Sequence, residues 1–207
     1  MSIFQPQKRI NSLSGQITIA MYRISQAIGH LFRIQGTKHQ LSPAQIQTLL
    51  FLRYTRPGVR TIGGLAARLT SSYATTSGVV DALESKNLVE RKPLPEDQRT
   101  VVLRLTERGD QKTDQIENVL DEVESAINEL PLNEQEALIH GLQTIVRHLQ
   151  ASGHVQVYEM CWDCQFFRLN QHPEQTGSPH HCAFVDAPLP EANTYFECPD
   201  FVAKGLL

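Results

Sequence analysis

The run Asp97-Gln98-Arg99-Thr100-Val101-Val102-Leu103-Arg104-Leu105-Thr106-Glu107-Arg108-Gly109 leaves the chain few ways to fold. Pro93, Pro95, Glu96, Asp97 and Gln98 punctuate a polar tip. Val101, Leu103 and Leu105 then alternate onto one face of a strand, with Val102 and Arg104 on the other. Thr106 stands where a helix needs its N-cap. An earlier run, Leu88-Val89-Glu90-Arg91-Lys92, can pair with this strand, giving a two-stranded ribbon with a basic flank and Arg99 near its tip.

Two helical patterns precede the ribbon. Thr61 caps the first, whose apolar face is Ile62, Leu65, Ala66 and Leu69. Thr70-Ser71-Ser72 breaks it, and residues 73–86 resume helical spacing with Val79, Val80 and Leu83 inward. Ser72, Thr75, Thr76 and Ser77 are small, polar and expected on the outside. Helix, turn, helix and β-ribbon describe a winged helix-turn-helix, in which the second helix reads the major groove of DNA.

At Asp97-Gln98-Arg99, Leu103-Arg104-Leu105-Thr106-Glu107-Arg108-Gly109 and the helix ending Glu84-Ser85-Lys86-Asn87-Leu88-Val89, the chain resembles the multiple-antibiotic-resistance regulator (MarR) family, over about residues 10–150. The resemblance implies a homodimeric transcriptional regulator, a repressor by family habit, whose helical termini build the dimer interface. It implies that Arg99 enters the minor groove and that Asp97 orients it. It also implies release from DNA by a small apolar or phenolic effector held between the DNA-binding lobe and the dimer helices. A two-fold dimer reads two half-sites, so the operator is expected to be a pseudo-palindrome. Ser72, Thr75, Thr76, Ser77, Lys92 and Arg99 are the DNA-binding candidates. No long Arg or Gln stands in the first turn of the second helix, so Arg99 and DNA shape are expected to carry much of the selectivity.

A net charge of −3 suits a DNA binder only once it is resolved along the chain. Residues 1–59 hold seven Lys/Arg and no Asp/Glu, and residues 60–109 are net +2. Residues 110–150 are net −7 and residues 151–207 net −5. A basic front half can meet phosphate while the acidic half faces away.

Ile17, Ala20, Met21, Ile24, Ala27, Ile28, Leu31 and Phe32 recur at helical spacing, predicting one long amphipathic helix from about Leu13 to Gln35 with Gly36 as its stop. Ser42 and Pro43 start a second helix carrying Ile46, Leu49, Leu50 and Leu52, closed near Arg56-Pro57-Gly58. Beyond Gly109 a single helix is expected to reach about Glu129, with Ile116, Leu120, Val123 and Ile127 as its stripe. Asn133 is expected to cap a last helix bearing Leu138, Leu142, Ile145, Val146 and Leu149. Such stripes exceed what a small winged helix can bury, which points to a second copy of the chain. The absence of a membrane-length apolar run and of a signal-peptide pattern points to a soluble, cytoplasmic protein with no membrane partner.

The tail departs from the family pattern. All four cysteines lie there, Cys161, Cys164, Cys182 and Cys198, spaced C-x2-C-x17-C-x15-C, with His180 and His181 directly before the third. One C-x2-C turn can offer two sulfurs to a metal, and a cytoplasmic setting disfavours two structural disulfides. Five prolines and a set of aromatics, Trp162, Phe166, Phe167, Phe184, Tyr195, Phe196 and Phe201, suggest a small core that needs a staple. Zinc suits four thiolates, or three with His180 or His181 in reserve. An iron–sulfur cluster also takes four thiolates. A closed zinc site would be structural, a cluster or an oxidisable thiol pair would sense redox state. The rival classes are a sensing or interaction module without base readout and, further off, a zinc enzyme. No Gly-rich phosphate loop, HExxH or GxSxG supports an enzyme.

The expected fold class is therefore mainly α with a small β-ribbon: an N-terminal dimerisation helix in residues 1–40, a winged helix-turn-helix in 41–109, C-terminal dimerisation helices in 110–151 and a small irregular metal-binding tail in 152–207.

Overall fold

Side-chain caps set most of the helix boundaries. The computed structural model describes residues 2–55, 59–94, 97–155, 161–195, 198, 201–202 and 204, with the backbone alone at 94, 97–100, 163 and 195. A short helix α1 (Pro6–Ile10) precedes α2 (Leu13–His39), which starts where the Ser12 hydroxyl accepts from the Gly15 N–H at 3.0 Å. Gly36 does not stop α2 as expected; the helix runs one more turn and ends on Gln40 in the left-handed region, φ 57°. Gly36 serves close packing instead, because the Leu41 carbonyl crosses the helix where a Cβ would stand.

A reciprocal capping box between Ser42 and Gln45 opens α3 (Pro43–Tyr54), with Pro43 in the first turn. Thr61 caps α4 (Ile62–Arg68) and Ser72 caps α5 (Tyr73–Ser85). The ribbon follows as β1 (Val89–Leu94) and β2 (Asp97–Leu105), antiparallel with Val89 opposite Leu105 and Arg91 opposite Leu103, and the register shifts after Pro93. Ile46, Leu49, Leu52, Leu65, Leu83 and Leu103 are fully buried and join α3, α4, α5 and β2 in one core. The alternation expected in β2 is broken. Val102 is buried and Val101 is exposed, because the segment before α4 lies along β2, with the Leu103 N–H donating to the Arg60 carbonyl. Burial, and Arg104 close by, pull the Arg60 guanidinium below its usual range.

Thr106 caps α6 (Glu107–Asp114) through the Gly109 N–H at 3.0 Å, as its position suggested. The single long helix expected after it is interrupted. A 3-10 turn (Glu117–Leu120) separates α6 from α7 (Asp121–Asn128). The turn lets Ile116 and Val119 both enter the core, which leaves Leu120 and Ile127 exposed. The last helix, α8 (Leu132–Ala151), has Pro131 at its N-cap position, two residues before the expected Asn133 cap and without a capping side chain. Among the described residues, no helix is long and apolar enough to cross a membrane.

The tail is more regular than its prolines suggested. β3 (Phe167–Arg168), β4 (His180–Cys182) and β5 (Ala187–Leu189) form an antiparallel sheet in the order β3-β4-β5. Cys161, Cys164, Phe167 and Leu189 form its own buried cluster, with Trp162, Phe166 and Phe201 packed on it.

Candidate nucleic-acid interface and cysteine site

The first turn of α5 is presented to solvent. The Ser72 hydroxyl accepts from the Thr75 N–H at 3.1 Å and meets the Thr75 hydroxyl at 2.8 Å. Ser72, Tyr73, Ala74 and Thr75 are all exposed. A capped helix start with its positive dipole end outward suits a phosphate. Thr76 does not belong to this face. It is fully buried, one turn before Val80 in the apolar stripe, so it is withdrawn from the DNA-binding set. Ser77 is half-buried and stands beside Arg91 of the ribbon, 3.5 Å from its Nη2.

Arg91 ties the ribbon to α5. Its guanidinium pairs with Glu84 and reaches Asp81 at 2.7 Å, and its backbone N–H donates to Glu84 at 3.1 Å. Lys92 is half-exposed and pairs with Glu90 at 2.6 Å on the same strand. Lys86 is also structural, donating to the Gln40 carbonyl at 2.7 Å. Asp97 and Arg99 lie on β2 by backbone, next to the tip, and their side chains fall outside the described residues.

The four cysteines converge. Cys161 and Cys164 share one turn, closed by the Cys164 N–H donating to the Cys161 carbonyl at 2.8 Å. Cys182 ends β4 opposite Phe167, and the Gln165 N–H donates to the Val202 carbonyl, folding the C-terminal segment back towards the turn. Cys161, Cys164, Cys182 and Cys198 all line one cavity of about 20 Å³. None is in a disulfide. No three of the described His, Cys, Asp and Glu side chains form a ready-made metal cage.

Both reserve histidines are committed elsewhere. His180, 2 % exposed, accepts from the Asn170 N–H at Nδ1 (3.2 Å) and meets Glu191 at Nε2 (2.5 Å). Its ring packs against Trp162 and Phe167. His181 meets His172 at Nδ1 (3.0 Å) and Asp186 at Nε2 (3.3 Å). Neither lines the cysteine cavity. These two residues anchor the tail sheet, so the reserve-ligand reading is corrected.

With the helix pair and ribbon placed, the comparisons bear on the family. Residues 41–101 match the model of the MarR family. That segment is a MarR-type winged helix-turn-helix, the DNA-reading part of transcriptional regulators of this family. It is 29 % identical over 113 residues to the HTH-type transcriptional repressor NicR of Pseudomonas putida, covering 49 % of this chain and 70 % of that one. Among solved structures it resembles CouR from Rhodococcus jostii RHA1 bound to p-coumaroyl-CoA, with TM-score 0.55 and 21 % identity, over 65 % of this chain and 94 % of CouR. It also resembles the S. aureus MepR–DNA complex, with TM-score 0.56 and 22 % identity, over 64 % and 97 %. At such identities the likeness to these structures is one of fold. MarR-family members are transcriptional regulators, not enzymes.

One exposed residue of this helix start was not singled out in the sequence. Tyr73 opens α5 and is 63 % exposed. Its place outside the Thr76–Val80–Leu83 stripe is the signal that would have found it.

Proposed function

We propose that the chain acts as a homodimeric repressor on a pseudo-palindromic operator, reading the major groove with the first turn of α5 and the minor groove with Arg99. The observation that carries this reading is the exposed, Ser72-capped start of α5 beside a ribbon braced to it through Arg91. The repressor assignment is supported by the likeness to NicR. The dimer is supported by α8, a helix of 20 residues with a long apolar stripe and no buried residue. A small apolar or phenolic effector fits the reading, supported by CouR having been seen with p-coumaroyl-CoA. The tail adds a four-cysteine metal unit.

The test is binding to DNA from upstream of the protein's own coding sequence, followed by fluorescence anisotropy over a salt series. Specific binding is expected to exceed binding to scrambled duplex by about 10³-fold or more. Arg99→Ala is expected to lower affinity about tenfold or more and to reduce the salt slope by about one. Unchanged affinity and slope in that variant would remove Arg99 from the interface.

A further inference from the structure

We propose that Cys161, Cys164, Cys182 and Cys198 bind a single zinc ion as a closed four-thiolate site that holds the tail together. This deepens the reading of the tail as a metal unit and rests on it. Three separate pieces of chain bring the four cysteines to the wall of one cavity: the turn at Cys161–Asp163 and Cys164, the end of β4, and the C-terminal segment. The rest of the cavity wall is apolar, with Phe166, Phe167 and Leu189 among it. All four cysteines border this one pocket. A divalent cation turns them into a matched set, since a thiolate beside a metal is stabilised in its charged form. On binding, four S–H protons leave to solvent as four Zn–S bonds form.

Two observations decide between the candidate ligand sets and metals. The imidazoles of His180 and His181 are each engaged at both ring nitrogens and stand off the cavity, so three sulfurs and a histidine are not what the fold presents. The cavity, at about 20 Å³, has room for one ion. A cubane cluster brings eight iron and sulfide atoms and would have to force the Phe167–Leu189 wall apart. The sulfurs do not yet form a ready-made cage, so the ion must draw them inward. Zinc binding and closure of the tail are then one event.

The test uses the full-length chain purified anaerobically, with zinc, iron and acid-labile sulfide measured per chain. The expected result is one zinc per chain, released by a thiol-blocking mercurial, and a cobalt(II)-substituted protein with the spectrum of a tetrahedral tetrathiolate. C161S and C198S are each expected to weaken zinc by more than about a hundredfold, beyond what loss of an outer-sphere partner does. H181Q is expected to keep its zinc. The cobalt spectrum of the unmutated chain decides the ligand set even where a cysteine variant misfolds. Iron with sulfide in place of zinc would overturn the zinc assignment and leave a metal-binding tail standing. No metal as purified and none taken up on addition would overturn both. Loss of zinc in H181Q with folding intact, or full retention in C161S, would overturn the four-sulfur set. Operator binding measured on the same samples reports separately on the winged helix.

Discussion

Gly78 sits in the middle of α5, exposed, and a Cβ placed there would meet nothing within 4 Å. A helix-interior glycine costs about 1 kcal/mol relative to alanine, and no contact inside the chain offsets it. On the proposed reading, the glycine leaves room for the DNA groove to come close to the helix. Gly78→Ala is therefore expected to raise Tm by about 2–4 °C while weakening operator binding, checked by calorimetry and anisotropy on one preparation. A gain in stability with unchanged affinity would move the DNA contact off this face. Thr76 supplies the contrast: its hydroxyl is buried with no hydrogen-bond partner among the described residues. Thr76→Val is expected to leave affinity unchanged and stability equal or higher, since an unsatisfied buried hydroxyl is a net cost. The sequence shows Thr75 and Thr76 alike as small and polar. Only the helical phase, set by Val80 and Leu83 packing into the core, separates an outward Thr75 from an inward Thr76.

At the level of elements, the ribbon is useful to a DNA reader only if its angle to α5 is held. The Arg91 guanidinium does this through Glu84 and Asp81 near the C-terminal end of α5, where a cation also meets the negative end of the helix dipole. Arg91→Ala removes charge-assisted bonds from a half-buried site. It is expected to cost about 1.5–3 kcal/mol in urea unfolding and to lower operator affinity without any direct contact to DNA being lost. Affinity falling in proportion to Arg99→Ala but with no change in unfolding would make Arg91 a DNA contact instead. The ribbon, its pairing and its capped exit helix were legible because alternation, turn residues and caps are local signals. Two element-level expectations failed for non-local reasons. The helix after Gly109 breaks because Ile116 and Val119 fit the core together only across a 3-10 turn, and Val102 is buried because the Arg60 segment covers it. The committed ring nitrogens of His180 and His181 were equally invisible, since their partners stand 5 to 11 residues away.

The whole molecule exposes more apolar helix than a lone chain has use for. Ile17, Ile24 and Ile34 of α2 and Leu138, Ile139 and Leu149 of α8 are all exposed. Gly141, mid-way along α8, again has nothing within 4 Å of where a Cβ would stand, so it leaves room for a neighbouring helix to approach closely. Apolar faces of this extent mark an interface. A partner copy satisfies them on both chains at once, because a two-fold contact sets like against like. In the proposed dimer the same operation would set two α5 starts on one side, which is what two half-sites require. Leu142→Glu puts a charge beside Gly141 in this stripe, and with no buried residue in α8 it leaves the winged-helix core untouched. Sedimentation is expected to show a monomer with unchanged circular dichroism per residue. Operator affinity is expected to fall towards that of a single half-site, and binding to an isolated half-site duplex is expected to persist. A variant that stays dimeric and binds the full operator as before would mean that α8 packs elsewhere and that α2 alone carries the two-fold contact.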